Sequence, residues 1–170
     1  MAFWTDSSIP EPLRQNRWYI AFSSNGLNNY RYALKECQKP SYEISVTEHK
    51  LLTQTFKYPG VLKWKPIEVK MVSTASGSNI SGSAYDLFNT AYLSGYHDSS
   101  YGHQEINKLF SLENNGLEII QINENGNRIE KWTLHNAFIS NLNHGTLSYE
   151  NDGFVDISFT IQYDWAELTT

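Results

Sequence analysis

The sequence predicts a mainly β fold: an antiparallel β-sandwich or partial barrel, with one α-helix packed on it. Three observations carry this. Apolar and polar residues alternate with period two along most of the chain, the signature of strands with one buried and one wet face. Hairpin-type dipeptides recur between those stretches: Asn25-Gly26, Asn125-Gly126 and Asp152-Gly153. Aromatic residues make up 14%, with 11 Tyr, 8 Phe and 5 Trp, and large aromatics favour strands and interfaces. At 170 residues the chain reads as one domain, 1–170, with enough length to bury a core without staples.

Residues 1–14 read as an arm, stiffened by Pro10 and Pro12, with Phe3 and Trp4 available to dock. "NRWYIAFSS" alternates Trp18, Ile20 and Phe22 against Tyr19, Ala21 and Ser23. The Asn25-Gly26 turn then predicts a hairpin into "YRYALKECQ", with Tyr30, Tyr32 and Leu34 on one face. "SYEISVTEH" places Tyr42, Ile44 and Val46 together. Residues 47–66 read as a long loop, followed by "IEVKMV", where Ile67, Val69 and Met71 alternate with Glu68 and Lys70. The one clear helix is 83–95. Ser83 and Asp86 have capping-box spacing, Leu87, Phe88, Ala91 and Tyr92 form an apolar stripe, and Gly95 is placed to stop it. "QEINKLFSL" suits a second short helix. Near the C-terminus, "GLEIIQINENGNRIEKWTLHNAFISNL" reads as a hairpin turning at Asn125-Gly126, and "GTLSYENDGFVDISFTIQYDWAEL" as another turning at Asp152-Gly153. The last is the most regular stretch. Val155, Ile157, Phe159, Ile161, Tyr163 and Trp165 form its apolar row, and Asp156, Ser158, Thr160, Gln162 and Asp164 its polar row.

Composition narrows the function classes. The net charge of -5 is wrong for tight grip on nucleic acid, which needs an excess of Lys and Arg. The single cysteine, Cys37, allows no internal disulfide and no cysteine metal cluster. No stretch approaches the roughly 18 apolar residues of a membrane span, and the first residues lack the basic-then-apolar pattern of a signal peptide. His97 and His103 bracket Asp98 in a Gly/Ser/Tyr loop, a poor metal site. His135 sits within a strand pattern and reads as a packed histidine, while His49 and His144 lie near turns without a legible partner. No G-x-S-x-G elbow occurs. "SGSNISGS" lacks the lysine and spacing of a phosphate loop. Asn79-Ile80-Ser81 matches a glycosylation acceptor in a chain with no sign of secretion. The residues thus call for no catalytic centre, metal or cofactor. Lys57, Lys63, Lys65 and Lys70 are interleaved with aromatics; they read better as meeting an acidic neighbouring subunit than as a nucleic-acid platform.

Two stretches carry a resemblance. "TFKYPGVLKWKPIEVKMV" looks like the aromatic-Pro-Gly…Leu-Lys-Trp segment of tail tube proteins from contractile-tailed bacteriophages. "KWTLHNAFISNLNHGTLSYENDGFVDISFTIQYDWAEL" is similar to that family's closing segment, where a Trp-x-Leu-x-x-Ala strand leads to a Leu-x-Tyr hairpin and a final strand. "RQNRWYIAF" resembles its first strand. The resemblance implies a structural, non-enzymatic subunit. Six copies would form a ring whose strands join into one barrel, and rings would stack head-to-tail into a hollow tube that conducts genomic DNA. It implies partners: further copies, the sheath, a baseplate or tube initiator, a tail terminator, and the tape-measure protein and DNA in the lumen. It also implies a place in the virion tail after assembly in the host cytoplasm. A tube initiator, a baseplate paralogue, or the tube of a type VI or bacteriocin system are alternatives within the class. A monomeric carbohydrate-binding sandwich is the alternative outside it. Within this reading, Phe3, Trp4, Leu51, Leu52, Phe56, Tyr58, Pro59, Gly60, Leu62 and Trp64 are the expected contacts between subunits. Glu68, Lys70, Asp156, Ser158, Thr160 and Gln162 are the expected lumen-facing residues.

Overall fold

A computed structural model describes residues 13–22, 27–75, 82–94, 117–150 and 152–170. Strand β1 (Trp18–Ala21) is followed by a 3-10 helix (Leu27–Ala33), then β2 (Leu34–Cys37), β3 (Ser41–Leu51), β4 (Gln54–Lys65) and β5 (Ile67–Val72). The helix α1 (Ser83–Ser94) precedes β6 (Leu117–Ile122), β7 (Arg128–His135), β8 (Phe138–Asn143), β9 (Asp156–Gln162) and β10 (Trp165–Thr169). Two four-stranded antiparallel sheets form, ordered β1-β6-β7-β10 and β2-β5-β9-β8, with a separate two-stranded sheet of β3 and β4. The predicted sandwich with one helix is therefore present. Neither sheet closes into a barrel among the described residues, so each keeps two open edges.

The period-two rows do what alternation requires. Ile67, Val69 and Met71 of β5, Ile157, Phe159 and Ile161 of β9, and Ile20, Leu117, Ile119 and Leu134 of the facing sheet are buried in one core. Each fully buried aliphatic or aromatic side chain contributes about 1.5–3 kcal/mol. The β6–β7 hairpin forms as expected. Asn123 Oδ1 accepts the Asn125 and Asn127 amides, and Gly126 takes φ 79°, a left-handed conformation natural to glycine.

Several local expectations are corrected. The Asn25-Gly26 dipeptide lies outside the described residues, but it joins no hairpin of β1 and β2: β1 pairs with β6, and β2 with β5, in different sheets. "LNNYRYA" coils into the 3-10 helix, where a spacing of three rather than two selects the buried side. Tyr30 and Ala33 are buried, while Tyr32 is 78% exposed. Tyr30 donates a 2.6 Å hydrogen bond to Asp86 of α1, tying the two helices together.

Helix α1 begins at Ser83, so the expected capping box does not form. The Gly82 carbonyl accepts the Tyr85 and Asp86 amides, and Ser83 instead exchanges two bonds with the Thr74 backbone. Leu87 of the expected stripe is buried and Ala91 half-buried, but Phe88 is exposed. The side chain of Tyr92, Gly95, His97, Asp98, His103 and "QEINKLFSL" lie outside the described residues.

The C-terminal hairpin also differs. The strand facing β9 is "FISNLN", not "GTLSYE", so residues 144–150 and 152–155 belong to a long connection rather than a tight turn. The long final strand is two strands. It bends at Tyr163-Asp164, leaving one sheet as β9 and entering the other as β10. Beside it, β7 crosses into β8 at Asn136-Ala137. The Asp164 amide bonds the His135 carbonyl at 3.0 Å, and Asn136 Nδ2 donates to the Asp164 carboxylate at 2.6 Å. Asn136 has φ 54°, which asparagine tolerates better than most residues. The two chains thus turn the sandwich corner as a bonded pair. Trp165, expected in the core row, is 42% exposed beyond the bend and stacks on His135 at 3.6 Å between ring centroids.

Candidate assembly surfaces

The stretch 47–66 is not a loop. With residues 41–46 it forms the hairpin β3–β4, ordered along its length but packed on the sandwich only at its base. Trp64 makes that junction. It meets Tyr42 edge-on at 5.3 Å and Tyr163 at 5.9 Å between centroids, and it is half-buried against the core. Every other residue of the two strands is exposed. Such a ribbon has too few partners of its own; an isolated two-stranded hairpin is marginal in water.

A bulge decides which side each apolar residue shows. Phe56, Tyr58, Gly60, Leu62 and Trp64 stand at every second position of β4. In the hairpin, Ile44 pairs with Leu62 and Val46 with Pro59, so Ser45 stands opposite both Gly60 and Val61. The extra residue moves the row to the other face. Tyr42, Ile44, Val46, Pro59, Leu62 and Trp64 share the face near the base, while Leu51, Phe56, Tyr58 and Val61 share the opposite face further out. Ser45 Oγ locks the bulge by accepting the Val61 amide at 2.9 Å. A Cβ on Gly60 would overlap that hydroxyl, which is why glycine stands there. Leu52, at φ 53°, lies in the turn at the tip and is exposed. The structure thus brings Leu51, Leu52, Phe56, Tyr58, Pro59, Gly60, Leu62 and Trp64 onto one projection. Phe3 and Trp4 lie outside the described residues.

The six residues expected to face a lumen also come together. Glu68 lies opposite Thr160 and Lys70 opposite Ser158 in the β5–β9 register, with Asp156 and Gln162 at the ends of the same row. They cover the outer face of the β2-β5-β9-β8 sheet. The cations on this face are matched. Lys70 bonds Glu36 at 2.7 Å, and Lys35 bonds Asp156. The Lys70 ammonium is held above its ordinary pKa by the Glu36 hydrogen bond and charge, with Glu68 and Asp156 adding to it. Two lysines face three carboxylates, Glu36, Glu68 and Asp156, so the surface is hydrophilic and slightly acidic.

A polar cluster bridges the two sheets at the open end of the sandwich. Lys39 Nζ reaches Gln121 at 2.7 Å and both oxygens of Glu130 at 2.9 and 3.0 Å, and Trp132 Nε1 also donates to Glu130. Burial pushes the Glu130 carboxyl up, but the bonds from Lys39 and Trp132 and the lysine charge outweigh it and hold the group below its ordinary value. Cys37 lines the same cleft, and burial pushes its thiol up to about 12, the behaviour of an inert thiol. Among the described residues no group of His, Cys, Asp and Glu is arranged to hold a metal ion, and no helix is long and apolar enough to cross a membrane.

Sequence reasoning missed one exposed surface, the β8–β9 connection. Leu147, Tyr149 and Phe154 there point into solvent around a cleft of about 590 Å³. The even spacing of Leu147 and Tyr149 imitates a strand, and only the β8–β9 register reveals otherwise.

No protein-family model matches this chain, and no curated protein matches it in sequence. Solved structures do match its fold. A chain in the cryo-EM structure of the anti-feeding prophage tube-terminating cap superposes with a TM-score of 0.68 at 15% identity, covering 100% of this chain and 99% of that one. A chain in the sheath/tube terminator of an extracellular contractile injection system, in its extended state, gives 0.67 at 12% identity, covering 96% and 100%. One in the sheath-tube complex of the same kind of system gives 0.63 at 14% identity, covering 93% and 91%. The chain therefore shares its fold with chains found in these tube-cap, terminator and sheath-tube assemblies.

Proposed function

We propose that this chain is a structural subunit of the tube in a contractile tail, forming rings of six that stack into a hollow conduit for genomic DNA. The observation that carries this is the hairpin of β3 and β4: an ordered ribbon with large apolar residues on both faces and no cover from its own domain. Contiguous exposed apolar surface of this kind marks an interaction site. The open sheet edges support the same reading, since joining edges around a ring removes them. The outer face carrying Glu68, Lys70, Asp156, Ser158, Thr160 and Gln162 suits the lumen. Its lysines already have carboxylate partners, so DNA phosphates would find few cations to hold them. On this reading the partners are further copies, the sheath, a baseplate initiator, a terminator, and the tape-measure protein and DNA inside.

A second reading is a subunit at a tube end, or of a tube that conducts cargo other than DNA. It is favoured by the likeness to chains in the cap and terminator structures. Electron microscopy of the purified protein, with and without baseplates, separates the two. A repeating tube subunit gives long hollow tubes, and an end subunit gives rings that do not grow. A species that stays monomeric at high concentration with baseplates present, and that binds glycans, would overturn both readings.

A further inference from the structure

The hairpin needs a receptor, and the described residues offer a surface of the right chemistry. The β8–β9 connection exposes Leu147 and Phe154 at 84% each and Tyr149 completely, around the cleft of about 590 Å³. Glu150 and Asp152 flank them, and among the described residues neither has an ion pair. On the hairpin, Lys57 pairs with Glu48 and Lys65 with Glu43. Lys63 has no such partner among the described residues. Lys63 shares the face of Phe56, Tyr58 and Val61, because Glu43, its register partner, alternates with Ile44. One surface is thus apolar with an unmatched lysine, and the other is apolar with unmatched carboxylates. Within one chain neither covers the other, since both stay exposed.

We propose that the outer half of the hairpin, Leu51, Phe56, Tyr58 and Val61, docks on the β8–β9 connection of a second copy of this chain, with Lys63 facing Glu150 and Asp152. The contact joins unlike surfaces. Each copy therefore offers a donor and an acceptor, and the series stays open until it closes into a ring or ends. Opposite charges set its orientation, and the apolar groups supply most of its strength. The assignment rests on the tube reading, and it adds which surface receives the hairpin.

Two measurements test it on the full chain. First, Phe56→Cys and Leu147→Cys proteins are oxidised separately and mixed, with the unaltered chain as background. The mixture should give a mixed disulfide dimer at least about tenfold faster than either variant alone. Equal rates overturn the proposal, whether or not tubes form. Second, Lys63→Glu, and Glu150→Lys with Asp152→Lys, should each reduce association about fivefold, the effect of roughly 1 kcal/mol at a rim contact. All three changes together should restore it. Single sets that associate normally, or a combination no better than the weaker set, overturn it. Tubes that form without the mixed disulfide refute this docking while leaving the tube reading intact. A mixed disulfide without tubes does the reverse.

Discussion

Glu130 shows how one residue can hold the mouth of the sandwich. Its carboxylate takes Lys39 from the β2–β3 connection and Trp132 from its own strand, and so spans the two sheets. Its folded pKa lies below the ordinary value of 4.5. The sign follows: its contribution is fully present above 4.5 and fades as pH falls through the lower folded value. Glu130→Gln should cost about 1 kcal/mol at pH 7, and the gap from the unaltered chain should close in acid. Urea unfolding at pH 7 and near pH 3 measures both. A gap that persists in acid would mean that shape rather than charge holds the site. Phe159 is the largest of the fully buried side chains. Phe159→Ala should lose about 3–5 kcal/mol, read as a lower urea midpoint.

The hairpin shows why element boundaries decide function. The bulge at Gly60-Val61 separates residues that a simple alternation would unite, so Phe56 and Trp64 should behave differently. Phe56→Ser touches an exposed outer face and should leave the melting temperature within about 2 °C while reducing assembly. Trp64→Ser also removes the junction with Tyr42 and Tyr163 and should destabilise the monomer by about 2–3 kcal/mol. Calorimetry of the monomer beside a sedimentation assay of tubes separates the two. Equal losses in both assays for Phe56→Ser would place it in the core instead.

Across the assembled molecule, the proposed conduit depends on charge rather than on any single contact. Glu68→Lys removes one negative and adds one positive charge per subunit on a face whose lysines are otherwise matched. Tubes should still form, and DNA release from them should slow at low salt and recover as salt rises, because phosphate contacts are screened. Release at the normal rate from tubes shown to carry the change would remove that face from the lumen.

Much of this is legible in the sequence. Period-two rows located the core of β5 and β9 residue by residue, because alternation is a property of each strand alone. Asn125-Gly126 marked its turn for the same reason, since left-handed backbone is a local demand. What the sequence could not determine is where a strand goes next. "GFVDISFTIQYDWAEL" alternates without a break, yet it changes sheets at Tyr163-Asp164, because Asn136 and the His135 carbonyl hold Asp164 at the corner. The row Phe56 to Trp64 alternates too, yet it divides between two faces because Ser45 stands opposite two residues. Composition and pattern determined a two-faced β protein with aromatics to spare. Pairing between distant strands, which no local pattern encodes, decided which aromatics are core and which are left outside for a neighbour.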